Sequence, residues 1–188
     1  EATFNSIKEF VDKYNEILDT INKKTSEKYE KEYKPLTSEQ KEAMTEDEIK
    51  KWEEKAKTGL LRHDSTLETL VSTLRRALYD PIDGVSGGLY SIGITTGSYY
   101  EKGKLVIDEN KLREAIKKSP DKVMSIFAKD SLIGYSVDLD SNDRRTRYNE
   151  SGIINRLDDI LKDYVRTTRD ANGRKGILLE KAGIAGGL

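Results

Sequence analysis

The sequence contains no cysteine, only one histidine and only three prolines. Without cysteine the chain can form no disulfide, no thiolate nucleophile and no cysteine-ligated metal site. A single histidine excludes a multi-histidine metal site and a histidine-based catalytic triad. That residue, His63, stands just before an expected helix start and is better explained as a surface residue than as a general base.

Long apolar runs and an excess of charge of one sign are also missing. No stretch approaches the roughly 20 apolar residues that a membrane-spanning helix needs. The 33 Lys and Arg residues nearly balance 34 Asp and Glu residues, so no overall field favours nucleic acid or an anionic membrane. We therefore expect neither as a partner. Residues 1–9 lack the basic start and apolar block of a cleavable signal peptide, and we expect no such leader there.

What the sequence does contain is a set of narrow apolar stripes at helical spacing. Charged residues make up 36% and hydrophobic residues 35%, which suits long amphipathic helices around a thin core. Each stripe is too narrow to stabilise a helix alone, so the three long helices should pair as a coiled-coil-like bundle. The stripes are Phe4, Ile7, Val11, Tyr14, Leu18 and Ile21; Leu67, Leu70, Val71, Leu74 and Leu78; and Ile153, Ile154, Leu157, Ile160, Leu161, Tyr164 and Val165.

Capping residues indicate where the second and third long helices begin. The second should begin near Asp64 or Ser65, where Glu68 completes a capping-box pattern with Ser65. The third could be capped by Asn149 or Ser151.

Two further capping boxes predict a short-helix insert between the first two long helices. The short helices should lie near residues 38–44 and 46–57, and Gly59 should end the second of them. This second helix carries Trp52, which with Ile49, Ala56 and Leu60 could lay a small apolar edge on the bundle. The capping pairs are Thr37 with Gln40 and Thr45 with Glu48.

A small β-hairpin is predicted at residues 89–108, because apolar residues alternate there with polar residues and glycine. We hypothesise that the hairpin clamps the end of the bundle. Its turn carries Tyr99 and Tyr100, of which at least one should face solvent. Exposed tyrosines often anchor interfaces, so both are candidate protein-contact residues, although ordinary packing under the loop is the favoured explanation. The alternating residues are Tyr90, Ile92 and Ile94, then Leu105 and Ile107.

The rest of the chain, 109–188, is predicted to be helical, with a mobile loop at 138–150 because that stretch has few apolar residues. Arg144, Arg145 and Arg147 form a small basic cluster in this loop, beside Tyr148. They are further candidate protein-contact residues. Neighbouring aspartates weaken the positive field, which favours an ordinary surface loop as the explanation.

No arrangement of residues predicts catalysis, a metal site or a bound cofactor. Asp138, Asp140 and Asn142 resemble the start of a calcium loop, but Asp143 replaces its glycine and Asn149 its bidentate glutamate. A metal-dependent hydrolase with carboxylate ligands stays as a distant alternative. The predicted fold is mainly α, a helical bundle with coiled-coil-like long helices and a small β-hairpin. It forms a single body domain, 1–188, of which 1–80 holds helices and the short-helix insert.

Three long stretches of the sequence carry a family resemblance. They are YKPLTSEQKEAMTEDEIKKWEEKAKTGLLRHDSTLETLVSTLRRAL from Tyr33 to Leu78, IGITTGSYYEKGKLVIDENKLREAI from Ile92 to Ile116, and GILLEKAGI, whose first Ile is Ile177. They resemble the carboxy-terminal region of the bacterial flagellar filament cap family, called FliD or flagellar hook-associated protein 2. The resemblance covers most of the chain.

The resemblance implies a non-enzymatic, structural part of the filament cap, which assists flagellin assembly at the filament tip. The implied partners are flagellin, an export chaperone and further copies of the protein itself, in a ring when the protein is full-length. The implied location is extracellular, reached by export without a cleaved signal peptide. Members of the family also have an amino-terminal segment, variable β-rich domains and a final helical arm, so we expect this chain to be a fragment with weak or no self-association. An intracellular helical-bundle adaptor or scaffold protein is the alternative from another class.

Overall fold

The predicted heptad stripe forms the buried face of the first helix in the computed structural model, which describes residues 1–183. Helix α1 (Ala2–Ser26) uses this face to pack against helix α4 (Ser65–Tyr79). Asp64 caps α4, its carboxylate accepting the amides of Thr66 and Leu67. The side chains that the two helices bury are Phe4, Ile7, Val11, Tyr14 and Leu18 from α1, and Leu70, Leu74, Ala77 and Leu78 from α4.

Helix α8 (Ile153–Val165) completes the central packing and contacts α4. Its buried residues include Ile153, Leu157 and Tyr164, as the third stripe predicts. The predicted caps are wrong, because Gly152 is the N-cap. A Cβ atom at this position would lie 2.6 Å from the backbone nitrogen of Lys129, so only glycine fits so close an approach.

Three smaller helices surround this centre: α5 (Glu109–Lys118), α6 (Pro120–Ala128) and α9 (Ile177–Lys181). Helices α6 and α9 pack on α8, and α5 packs on α1 and α6. The hydrophobic core contains buried side chains from many points along the chain, of which Phe4 is the first and Tyr164 the last. The predicted end of the domain at Leu188 lies outside the described residues.

The short-helix insert forms where its capping boxes predict. Helix α2 (Ser38–Glu42) and helix α3 (Glu46–Lys57) both have complete capping boxes. Gly59 is the only buried residue among residues 27–63, so this segment lies outside the core. We call it the arm. Trp52 packs on Tyr33 within the arm and donates to the carbonyl of Lys34, while Leu60 is 63% exposed. The predicted apolar edge on the bundle therefore does not form through Leu60.

The hairpin is shorter than the alternation predicts. Strands β1 (Ile94–Thr96) and β2 (Leu105–Ile107) pair antiparallel, with Ile94 opposite Ile107. Residues Leu89–Ile92 form a 3₁₀ turn instead of strand, and Tyr90 is 82% exposed. Gly93 ends this turn with a φ of +85°, a left-handed conformation that breaks the strand before Ile94.

The prediction of a mobile loop at 138–150 is wrong, because helix α7 (Ser141–Glu150) occupies most of it. Asp140 caps the helix by accepting the amides of Asn142 and Asp143. No residue of α7 is buried, so the helix shows no apolar stripe. Charged and polar contacts to α8 and to the end of α4 hold it instead. The predicted fold class is confirmed: the described residues form a mainly helical bundle with one small hairpin.

Candidate functional site at the hairpin tip

Tyr99 and Tyr100 both point into solvent at the turn of the hairpin. They lie in a 3₁₀ turn, Tyr99–Glu101, and are 93% and 90% exposed. Their rings meet edge to face with centroids 5.9 Å apart. Large aromatic side chains left this exposed are typical of contact surfaces.

Hydrogen bonds within the turn fix the backbone that carries the two rings. Ser98 and Glu101 form a reciprocal capping box, in which the Glu101 carboxylate accepts the Ser98 amide at 2.5 Å. This bond is the main reason that the pKa of Glu101 is lowered. Lys102 and Gly103 then adopt left-handed conformations and return the chain to β2. The turn is therefore ordered by its own backbone.

The base of the hairpin is attached to α1. The Asn15 side chain hydrogen-bonds the backbone of Leu105, and Lys104 pairs with Asp19 at 2.6 Å. Leu105 and Ile94 are buried. The hairpin is thus anchored to α1, and the clamp hypothesis stays a prediction that hydrogen exchange can test.

A groove of about 560 Å³ runs between the hairpin turn and α4. Two positively charged side chains line it, Arg75 from α4 and Lys102 from the turn, and neither forms a salt bridge with another residue of 1–183. Tyr79 of α4 hydrogen-bonds the Thr96 hydroxyl nearby. We call this surface the tip groove. Its lining residues are Arg75, Thr96, Gly97, Ser98, Tyr99, Tyr100, Lys102 and Gly103.

The three arginines proposed from the sequence do not form one open basic surface. Arg147 makes a two-pronged pair with Asp159, with Nε–Oδ2 at 2.6 Å and Nη2–Oδ1 at 3.0 Å, and this pair raises its pKa. Arg144 pairs with Asp163 at 2.7 Å. Arg145 stays exposed and contacts Asn142 at 3.3 Å. Two of the three guanidinium groups thus join α7 to α8.

Tyr148, beside these arginines, also faces inward. Its hydroxyl donates to Asp80 at 2.8 Å. Burial, helped by this bond, raises the pKa of Tyr148 to about 12. Of these two candidate surfaces, the tip groove and not α7 leaves its cations and aromatic rings open to solvent.

The sequence analysis missed the buried Arg156. Its guanidinium donates to five carbonyls and lies 4.3 Å from the Tyr148 ring centroid. Burial lowers the pKa of this guanidinium. The signal was present, since Arg156 is in phase with the apolar stripe of α8, where a surface residue is not expected. The accepting carbonyls are those of Ala77, Asp80, Pro81, Tyr148 and Asn149.

The acidic residues near α7 serve local structure. Asp140 is the cap of that helix, and Asp138 accepts the amide of Ala171. No group of three or more metal-ligating side chains is arranged to hold an ion within residues 1–183. Over the same residues, no helix has the length and apolar character to cross a membrane.

The family of the chain follows from comparison with known sequences. The family model described as flagellar hook-associated protein 2 C-terminus matches residues 1–182. The chain belongs to this family. The family resemblance seen in the sequence is thereby confirmed.

Individual relatives agree with the flagellar hook-associated protein 2 assignment. Proteins of that name are 38% identical in Halalkalibacterium halodurans, over 94% of this chain and 34% of the relative. In Thermotoga maritima the identity is 33%, over 99% of this chain and 25% of the relative. In Treponema pallidum the identity is 32%, over 94% of this chain and 22% of the relative. The chain thus spans about a third or less of the length of these relatives.

A solved structure shows the same fold. The crystal structure of the flagellar cap protein FliD D1-D2-D3 domains from Escherichia coli aligns with a TM-score of 0.53 and 22% identity. The alignment covers 95% of this chain and 34% of that one.

Proposed function

We propose that this chain is the helical body of a flagellar filament cap protein and assists flagellin assembly at the filament tip. The family match over residues 1–182 carries the proposal. The names of the relatives and of the Escherichia coli cap protein support it. On this proposal the chain acts outside the cell and is not an enzyme.

The structure is suited to such a role. A helical bundle tied by buried side chains and by polar bridges such as Arg147–Asp159 can transmit force between the ends of a subunit without deforming. The exposed Tyr99 and Tyr100 are our proposed contact residues, presented by a turn that is ordered before any partner binds. An ordered contact surface reduces the entropy lost on binding. The intracellular adaptor alternative has no comparable support, because the family match favours the cap.

The proposed partners are flagellin and neighbouring copies of the full-length protein, with an export chaperone during secretion. Self-association of the isolated chain should be weak, because the relatives contain much more protein than this chain matches. Light scattering of the purified chain should therefore report a monomer. A stable ring formed by residues 1–188 alone would contradict this expectation.

A chimera tests the proposed function. Residues 1–182 replace the matching region of the Halalkalibacterium halodurans relative, in a strain that lacks its own copy. We expect swimming to be restored and flagellin to be retained on filaments instead of being lost to the medium. The control is the same relative with the matching region deleted. A chimera that is exported and stable but leaves flagellin in the medium, as the deletion does, would overturn the proposal.

A further inference from the structure

The tip groove carries positive charge that is not paired in a salt bridge within residues 1–183. Arg75 and Lys102 line it without a salt bridge inside residues 1–183. Glu101, the acid of the turn, is not among the residues that line the groove, and its carboxylate accepts the Ser98 amide. Two free cations beside two exposed phenol rings form a surface that suits a peptide segment carrying carboxylates.

The turn between α2 and α3 carries the complementary charge. Glu42 stands at the end of α2, and Glu46 and Asp47 lie in the first turn of α3. All three are exposed, and none forms a salt bridge within the described residues. Glu48, in contrast, is engaged in capping through Thr45. We call residues 42–47 the acidic turn.

The acidic turn lies at the far end of the arm, and the groove lies near the arm's root. The root is tied to α1 by a bond from the His63 amide to the Thr25 carbonyl. The groove borders the same end of α1, where Gly103 faces Leu18. Thr25 follows Leu18 by seven positions along α1, which is about 10 Å of helix. Helix α3 alone is about 18 Å long, so the arm extends farther than the distance between its root and the groove. No residue of the arm lines the tip groove of its own chain.

We propose that the tip groove of one copy binds the acidic turn of a neighbouring copy. The carboxylates of Glu46 and Asp47 accept hydrogen bonds from Arg75 and Lys102, beside the exposed tyrosine pair. Because the two surfaces differ, the contact runs head to tail, as a ring of copies requires. The inference rests on the proposed function, since it supplies a subunit contact for an assembled cap. Exposed charge pairs are weak, so the contact should form mainly when copies are held close together.

The absence of cysteine allows a direct cross-linking test. One chain carries Ala43→Cys in the acidic turn, and a second chain, with a different tag, carries Tyr100→Cys at the groove. The two are mixed at high concentration under mild oxidation, and disulfide-linked heterodimer is measured on non-reducing gels. We expect at least about fivefold more heterodimer than from Ala43→Cys with Lys117→Cys, an exposed position on α5. Equal yields from the two pairs would overturn the contact.

A charge swap tests the chemistry of the contact. Arg75→Glu in the Tyr100→Cys chain should lower the yield at least threefold, and Glu46→Lys in the Ala43→Cys chain should restore it. Every substituted side chain is exposed, so circular dichroism should show unchanged folding. A yield that does not respond to either reversal would refute the pairing of these charges.

The cross-linking experiment is independent of the flagellar experiment. A chimera that restores swimming, together with chains that do not cross-link, would overturn this contact alone. Cross-linking that obeys the charge swap, together with an inactive chimera, would overturn the proposed function alone.

Discussion

The side-chain amide of Asn15 hydrogen-bonds both backbone groups of Leu105. Its Nδ2 donates to the Leu105 carbonyl at 2.9 Å, and the Leu105 amide donates to its Oδ1 at 2.8 Å. A helix side chain thus takes the place of a third strand at the edge of the hairpin. An isolated two-stranded sheet is marginally stable in water, so this attachment explains how so short a hairpin persists.

Asn15→Ala should therefore destabilise the chain. It leaves the amide and the carbonyl of a buried residue without partners, at a cost of about 2–3 kcal/mol in the free energy of unfolding. Urea unfolding followed by circular dichroism measures this loss, and hydrogen exchange at the Leu105 amide should become faster. Asn5→Ala, an exposed position on the same helix, should change stability by less than about 0.5 kcal/mol. If the hairpin amides exchange freely in the unmodified chain, the clamp hypothesis is wrong.

Replacing Arg156 should have the larger effect on the bundle. Its guanidinium joins the carboxyl-terminal ends of α4 and α7 by donating to carbonyls of both. Arg156→Met leaves several of these carbonyls unsatisfied, so we expect a loss of about 3 kcal/mol or more. Thermal unfolding measures it, with Arg145→Met as the exposed control. Equal melting temperatures for the two variants would mean that water replaces the buried guanidinium at little cost.

The parts of the fold that the sequence predicts well are those encoded by local patterns. Thr37 and Thr45 begin the short helices as expected, because a capping box is complete within four residues. The heptad stripe of α1 likewise predicts its buried face. Of the candidate site, the turn predicts that at least one of Tyr99 and Tyr100 faces solvent, and the structure exposes both.

The parts that sequence reasoning missed depend on contacts between distant residues. Helix α7 is stabilised by pairs such as Arg147 with Asp159, and no periodic pattern reveals them. The tip groove forms only because the chain brings Arg75 beside Gly103, 28 positions away in the sequence. The Leu89–Ile92 turn has the alternation of a strand, but the left-handed backbone at Gly93 overrides it.

Asp64 should make stability depend on pH in the acidic range. Its carboxylate caps α4 and pairs with Lys181 at 2.6 Å, and the pair with Lys181 is the first reason that its pKa lies below the ordinary 3.8. A lowered folded-state pKa stabilises the fold above pH 3.8, and this contribution is lost as the pH falls through the folded-state value. Asp64→Asn keeps a capping side chain but not the charge.

The free energy of unfolding of the unmodified protein should thus exceed that of Asp64→Asn by about 1 kcal/mol at pH 7. The difference should shrink below pH 3.8 and disappear once the pH is below the folded-state pKa. Urea titrations at several pH values measure it. In a Lys181→Met background the difference at pH 7 should be smaller. A difference that grows as the pH falls would contradict the argument.

Removing the exposed tyrosines should separate function from stability. Tyr99→Ser with Tyr100→Ser removes rings that bury almost nothing, so the free energy of unfolding should change by less than about 0.5 kcal/mol. Swimming of the chimera should nevertheless decrease, since exposed aromatic residues contribute strongly to interfaces. Tyr90→Ser removes another exposed tyrosine away from the tip groove and should leave swimming unchanged. Equal swimming for both variants would remove the tip from the proposed contacts.

Gly59→Ala should loosen the arm without unfolding the bundle. Gly59 has a φ of +78°, and a Cβ there would lie 2.6 Å from the backbone of Tyr29, which cannot move aside as a side chain can. Trp52, the only tryptophan, lies in the arm against Tyr33, so its fluorescence reports on the arm. We expect this fluorescence to change at lower temperature than the helical signal of the bundle.

Gly173→Ala is the matched control for this substitution. Gly173 has nearly the same φ, +77°, but a Cβ there meets nothing within 4 Å. Gly173→Ala should lower the free energy of unfolding only by the strain of an alanine in a left-handed conformation, about 1 kcal/mol. It should leave Trp52 fluorescence unchanged. If both variants shift the fluorescence equally, the close approach to Tyr29 does not hold the arm. If Gly59→Ala makes arm and bundle unfold together, the arm is part of the cooperative core, although Gly59 is its only buried residue.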